Sequence, residues 1–378
     1  MSAPLSTVAI LGLGQMGTSL ALAFKKYGLC ERVQGYDLHP DHATTAYSLK
    51  AVDDFYATPE ATVEGAQLVV LCTPVGTYAT LMQAIAPHLE QGAIITDIGS
   101  IKQQAIRDLE PHLPPHANLV PAHPIAGSEK VGPTHARADF FVDHLFLVTP
   151  VEETPVEMIE LICGLWQAMG ARAEALAPDT HDHIYAYVSH LPQLMAFATA
   201  PLLMDAGCRL AMGDEMFRRF TRIGRCDPEM WRDIFLENAR HLIPASEYIA
   251  AMLRHMRKEL AEGSAEQESA EADASLLYTA WPKLLASTLI TTVQQVEHQL
   301  ERRLLRYAAG GFVDFSAPIL EDPEAQLAQI SEHATHFVGW IEAYLEVQDQ
   351  ITRAMADRDS DGLLNLLAHC QGAAKRLL

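Results

Sequence analysis

Thr7-Val8-Ala9-Ile10-Leu11-Gly12-Leu13-Gly14-Gln15-Met16-Gly17 is an apolar run closed by three glycines at G-x-G-x-x-G spacing. The run predicts a buried parallel strand, and the apolar spacing from Ser19 to Tyr27 predicts a helix directly after the turn. Strand, glycine turn and helix in that order are the context in which such glycines bind a dinucleotide. Gly12 permits the tight turn, Gly14 lets the backbone approach a pyrophosphate, and Gly17 packs helix on strand. Gln15 and Met16 lie in the same turn, and the helix N-terminus offers N–H groups and partial positive charge to the phosphates.

Working outward, a second strand from Arg32 to Tyr36 ends at Asp37, twenty residues after Gly17. An acid there accepts both ribose hydroxyls and repels a 2′-phosphate. Leu38-His39-Pro40 adds no Arg to hold that phosphate, so NAD is expected rather than NADP, with His39 a weak counter-signal. Further strands are predicted at Gln67–Leu71, Ala93–Thr96 and Asn118–Val120. The first ends in Cys72-Thr73-Pro74-Val75, where Thr73 and Pro74 are expected to border the nicotinamide ribose. The second ends in Asp97-Ile98-Gly99-Ser100-Ile101-Lys102, whose acid and hydroxyl either cap the next helix or serve the chemistry.

The third leads to Ala122-His123-Pro124-Ile125-Ala126-Gly127-Ser128-Glu129-Lys130, read as a loop leaving a strand. His123 is the candidate general base, because a neutral imidazole accepts a proton from a hydroxyl losing hydride. Ser100 is its candidate partner. Phe146–Pro150 and Ala171–Glu174 read as later strands, with a helix from Pro155 to Met169 between them. From Asp179 the pattern turns helical, through His190-Leu191-Pro192-Gln193 and on to about Leu260.

Composition narrows the classes. The 378 residues exceed one ordinary domain, and 48 acidic against 27 basic residues give a formal charge of −21. That argues against nucleic acid as a partner, while leaving room for an anionic small molecule at a local Arg. The six cysteines are scattered with no Cys-x-x-Cys pair, so neither a disulfide scaffold nor a metal site is expected, and a reducing cytoplasm fits. No apolar stretch reaches membrane-spanning length.

The last third echoes the helical region before it. Leu191-Pro192-Gln193-Leu194-Met195-Ala196 recurs as Trp281-Pro282-Lys283-Leu284-Leu285-Ala286, Phe217–Thr221 as Phe312–Ser316, and Asp227-Pro228-Glu229 as Asp322-Pro323-Glu324. Arg222 then aligns with Ala317, His190 with Ala280 and Trp231 with Gln326. The expected domains are 1–177, an α/β dinucleotide-binding domain; 178–260, a helical substrate domain; 261–274, a polar linker; and 275–378, a diverged copy of the helical domain that keeps its packing and loses polar groups.

These motifs together resemble the prephenate/arogenate dehydrogenase family of tyrosine biosynthesis, over roughly residues 7 to 255. The resemblance rests on the glycine turn with Asp37, the Asp97–Lys102 segment and His123-Pro124-x-x-Gly127-x-Glu129. It continues through Ser189-His190-Leu191-Pro192 and Phe220-Thr221-Arg222-Ile223…Asp227-Pro228-x-Met230-Trp231-Arg232-Asp233-Ile234. It implies a Rossmann domain followed by a helical one, and NAD-dependent oxidative decarboxylation. His123 would take the hydroxyl proton, Ser100 would orient it or share the hydroxyl, and Arg222 would hold a substrate carboxylate. Glu129, His190, Gln193 and Arg219 are the further substrate-side candidates. Arg219 stands where relatives often carry an acid, which disfavours the ammonium group of arogenate and tips the expectation toward prephenate; arogenate or dual specificity is the alternative. If the last third takes a partner's place, the chain is a monomer with an internal pseudo-dimer, and otherwise a homodimer. The rivals are a β-hydroxyacid dehydrogenase, which would need a catalytic lysine in the helical domain, and a non-catalytic NAD sensor.

Overall fold

In the computed structural model the described residues are 5–127, 130–263, 274–318 and 323–378. The chain divides into two compact units, Met1–Asp182 and His183–Leu378. Part of the expected linker (264–273), Glu129 and Asp322 lie outside the described residues, as does the side chain of Gln326.

The first unit is built on six parallel strands: β1 (Leu5–Leu11), β2 (Cys30–Tyr36), β3 (Asp54–Phe55), β4 (Leu68–Leu71), β5 (Ile94–Asp97) and β6 (Asn118–Val120). Their order is β3-β2-β1-β4-β5-β6. Strand order therefore reverses between β1 and β4, and ligands of open α/β sheets bind at the carboxyl ends flanking such a switch. The helices are α1 (Gln15–Lys26), α2 (Pro40–Ser48), α3 (Pro59–Val63), α4 (Tyr78–Ile85) and α5 (Lys102–Leu109). Successive side chains of a strand point to opposite faces, and β1 shows the consequence. Val8 and Ile10 join Leu20 and Phe24 of α1 in one core, whereas Ala9 and Leu11 join Tyr78 and Met82 of α4 in another.

The stretch Ala122–Ile125 departs from expectation. It is a strand, β7, rather than loop, and with β8 (Leu145–Val148) and β9 (Arg172–Ala175) it forms a second sheet of order β7-β8-β9. β7 runs antiparallel to β8, with His123 opposite Leu147. A proline removes a ladder donor and is tolerated only at sheet edges; Pro124 sits on such an edge, and Pro121 falls between β6 and β7. Within β7 the burial alternates, Ala122 and Pro124 in, His123 and Ile125 part way out. That alternation carries His123 toward the open side. Helix α6 (Val156–Ala168) backs the second sheet, its Trp166 stacked on Phe146 at 4.1 Å between ring centroids.

After α7 (Pro178–Tyr185) and a π turn over Ala186–His190, the second unit is all helix. Its first run is α8 (Leu191–Asp205), α9 (Glu215–Arg222), α10 (Pro228–Glu237) and α11 (Ala239–Gly263). Its second is α12 (Ala280–Leu300), α13 (Gly311–Phe315), α14 (Pro323–Glu332), α15 (Ala334–Ala356) and α16 (Ser360–Arg376). α8 is the central element: all but three of its fifteen residues are buried, a pattern expected of a helix surrounded by others. No helix among the described residues is long and apolar enough to cross a membrane.

Candidate active site

The glycine turn has the stereochemistry its spacing predicts. Gly12 sits at φ +100°, where an added Cβ would stand 2.6 Å from the Cys72 carbonyl on the neighbouring β4 end. At Gly17 a Cβ would meet the Gly12 carbonyl oxygen at 1.9 Å, so only glycine lets α1 lie this close to the turn. Gly14 faces open space, with no atom within 4 Å of its imaginary Cβ, and it begins α1 with no side-chain cap. That open, uncapped N-terminus fits a pyrophosphate. Gln15, one residue on, donates from Nε2 to the His135 carbonyl at 3.3 Å, and Met16 packs against the adjoining core.

At the end of β2, Asp37 accepts from the Leu13 N–H at 2.7 Å and the His39 N–H at 2.8 Å. The acid is thus pinned to the glycine turn itself. His39 donates to it only through the backbone, while His42 Nδ1 lies 3.4 Å from the carboxylate. Thr73 and Pro74 follow β4; the hydroxyls of Thr73 and Thr77 are 2.8 Å apart, and Thr77 donates to the Pro74 carbonyl. The residues present fit a dinucleotide with a free ribose diol.

Beyond the nucleotide site, β5 and β7 are stitched together by a buried ion pair. Lys102 and Asp97 are both fully enclosed, with Nζ 2.5 Å from Oδ2. The same ammonium donates to the Ala122 carbonyl, and Asp97 accepts from the Ala122 N–H at 3.0 Å and the Gly99 N–H at 2.8 Å. Both peptide groups of Ala122 are therefore held by one ion pair, which sets the segment carrying Ser100 beside the strand carrying His123. The expected capping by Asp97 or Ser100 does not occur: α5 starts after Ile101 with no cap from either. Asp182 does that work from eighty residues away, accepting from the N–H groups of Lys102 at 2.8 Å and Gln103 at 2.9 Å. Asp97 is already occupied by Lys102, Gly99 and Ala122.

His123 Nδ1 lies 2.9 Å from Nε2 of His181, whose own Nδ1 is 2.8 Å from Asp182 Oδ1. His181 is wholly buried, and burial, reinforced by the Lys102 ammonium, holds its pKa well below the usual histidine range. His181 and Asp182 lie where the sequence pattern predicts only the start of a helix from Asp179. The one sequence signal for them is the adjacent His-Asp pair at the domain junction.

In the second unit, Arg219 and Arg222 share one carboxylate. Arg219 Nε is 3.0 Å from Asp314 Oδ1 and Arg222 Nε 2.6 Å from Oδ2. His190 is buried with Nδ1 2.9 Å from the Asn238 amide, and Gln193 donates to the Ile223 carbonyl at 2.8 Å, bracing the turn after Arg222. Asp314 was not among the expected site residues, although the alignment of repeats sets it opposite Arg219.

A dinucleotide turn at a switch point, with a histidine on β7 of the second sheet paired to another on α7 in the same unit, fits an NAD(P)-dependent oxidoreductase. Comparison with known proteins gives its family. The nucleotide-binding domain of prephenate dehydrogenase matches residues 20–175 and the prephenate dehydrogenase dimerization domain residues 177–272. The chain belongs to the prephenate dehydrogenase family. It is 35% identical over 261 residues to the cyclohexadienyl dehydrogenase of Zymomonas mobilis, covering 67% of this chain and 88% of that one. With the prephenate dehydrogenase of Bacillus subtilis it shares 32% over 239 residues, 61% of this chain and 64% of the other. The crystal structure of prephenate dehydrogenase from A. aeolicus with hydroxyphenyl propionate and NAD+ superposes with a TM-score of 0.62 at 29% identity, covering 80% of this chain and 99% of that one.

Proposed function

We propose that this chain oxidises prephenate with NAD, releasing the ring carboxylate as CO2 and leaving an aromatic ring. The observation that carries the reading is His123, aimed by its strand and engaged at Nδ1, on the same unit as the dinucleotide turn. NAD, when bound along Gly12, Gly14, Gly17 and Asp37, supplies the hydride acceptor. His123 takes the hydroxyl proton as C=O character develops, and Ser100 orients that hydroxyl or the imidazole. Arg222 offers a planar fork to a substrate carboxylate. Arg219 and Arg222 both pair with the Asp314 carboxylate, which sets the two guanidinium groups side by side. Glu129 is retained as a substrate-side candidate on the strength of its motif. In this reading His190 and Gln193 shape the Arg222 neighbourhood through Asn238 and Ile223 rather than through substrate.

NAD reduction followed at 340 nm with prephenate and with arogenate tests this. Turnover with prephenate is expected, falling about 100-fold or more in His123→Asn with NAD affinity kept. NAD binding without turnover on either substrate would return the chain to the sensor reading.

One observation favours a second reading, dual specificity. The case against arogenate takes Arg219 as a bare cation, but its pairing with Asp314 weakens any repulsion of an ammonium group. The similarity to a cyclohexadienyl dehydrogenase points the same way.

The last third, 275–378, we read as a diverged copy of the helical domain in 178–260. Helix starts support this: α10 and α14 begin at 228 and 323, α11 and α15 at 239 and 334, both 95 residues apart. In a twofold interface, residues on the axis meet their own counterparts. Phe220 and Phe315 pack at 4.6 Å between centroids, Arg254 and Asp349 pair at 2.6 Å, and Arg219 and Asp314 at 3.0 Å, every pair again separated by 95 positions. The chain then carries a dimer-like pairing within itself. The first copy keeps the arginine, Arg222 against Ala317, and the second supplies the acid, Asp314 against Arg219.

A further inference from the structure

We infer that His181, anchored by Asp182, is a positioning residue that fixes the tautomer and orientation of His123 for the proposed oxidation. This deepens the proposed function, resting on His123 as the base.

The assignment follows from counting donors around Asp182. Its Oδ1 accepts from the Lys102 N–H at 2.8 Å and its Oδ2 from the Gln103 N–H at 2.9 Å. A carboxyl group accepting from two backbone donors at a helix N-terminus is held as the carboxylate. The third contact, from His181 Nδ1 at 2.8 Å to Oδ1, must then be an N–H donated by histidine, since the carboxylate has no proton to give. His181 is completely enclosed and neutral, so a proton on Nδ1 makes Nε2 an acceptor. The 2.9 Å contact between His181 Nε2 and His123 Nδ1 accordingly has its proton on His123 Nδ1. Neutral His123 bearing that proton has its basic lone pair on Nε2, the nitrogen that would then take the substrate hydroxyl's proton.

The relay also aids the charged form. When His123 becomes imidazolium, its Nδ1–H donates to His181, whose far side rests on Asp182, so charge is stabilised without placing a bare carboxylate against the base. The ring planes of the two histidines meet at 62°, which fixes the His123 ring as well as its proton. Among the described residues, the charged groups that these contacts bring to the relay include Asp182 on α7, Lys102 on α5 and Asp97 at the end of β5. Because Asp182 also caps α5, base and Ser100 segment are referred to one anchor.

The test uses the full chain with His181→Asn and His181→Gln. Asn places an amide near the old Nδ1, keeping the Asp182 contact but failing to reach His123; Gln places an acceptor near the old Nε2. With prephenate and NAD, His181→Asn is expected to lose kcat by about 10- to 100-fold with KM little changed, and His181→Gln to recover a substantial part. Losing the acceptor disfavours the His123 imidazolium, so the acid limb of the kcat/KM profile is expected to move to lower pH in His181→Asn. Imidazole 15N shifts of the unaltered chain, assigned with His123→Asn, need no folded variant: His123 is expected as the Nδ1–H tautomer. An Nε2–H tautomer, or wild-type kcat and pH profile in a folded His181→Asn, overturns the inference. A fall in rate matched by equal loss of NAD affinity and thermal stability, with no rescue by Gln, also overturns it. If His123→Asn itself retains wild-type kcat, the base assignment falls instead, independently of His181.

Discussion

Lys102 carries its ammonium with no exposed surface, and burial pulls its pKa down against the opposing pull of Asp97. Removing one partner from a buried pair strands the other, which costs about 3–5 kcal/mol, whereas removing both together often costs little. Lys102→Met is therefore expected to lower stability by about 3–5 kcal/mol in denaturant titration. Lys102→Met with Asp97→Asn should recover part of it. Activity should recover less, because the Ala122 carbonyl loses its ammonium donor and the Ala122 N–H keeps only a neutral amide acceptor, which loosens the strand carrying His123. Full recovery of activity in the double variant would show that the pair serves stability alone. At this scale the sequence names residue types but not their pairing. Asp97, Ser100 and Lys102 stood out by proximity to a strand end, while Asp182, which caps their helix, lies eighty residues on.

At the scale of elements, the β1 turn and α1 were legible because their tightest constraint, Gly17 against Gly12, is local. Gly12 needs positive φ, Gly17 needs contact with Gly12, and both partners lie within the same short stretch. Gly14 is different, since nothing of the protein contacts its open face. Gly14→Ala is therefore expected to fold with an unchanged unfolding midpoint but to bind NAD about tenfold or more weakly, as the added methyl meets the pyrophosphate. Gly17→Ala should fail on both counts, because a Cβ 1.9 Å from a carbonyl oxygen forces α1 off the sheet. Isothermal titration with NAD beside thermal unfolding separates the two; equal behaviour of the variants would refute the distinction. Strand β7 was not legible as a strand: its four residues include a proline, and the ladder that justifies it comes from β8, twenty residues further on.

At the scale of the molecule, the internal pairing predicts its own assembly state. On the proposed reading of 275–378 as a copy paired with 178–260, sedimentation velocity of the full chain is expected to show a monomer with one catalytic site. A dimer joined through two 178–260 segments, with the last third peripheral, would refute it. Asp314→Ala should separate the substrates. Removing the carboxylate leaves Arg219 without its counter-charge to repel an ammonium group, so kcat/KM for arogenate is expected to fall about tenfold relative to prephenate. An unchanged ratio would remove Asp314 from specificity.

The sequence by itself determined the nucleotide half and the reaction: G-x-G-x-x-G, Asp37 and the His123 motif act through local geometry and recognisable chemistry, so their order in the chain is enough. It also offered the repeat proposed above, since helical packing preserves apolar spacing even as polar residues change. Only the tertiary structure decided which polar groups meet. His181 with His123, Asp182 with the start of α5, and Asp314 with both Arg219 and Arg222 are pairings across tens of residues. Hydrogen bonds and ion pairs act over a few ångströms of space, and a linear pattern carries no measure of that distance.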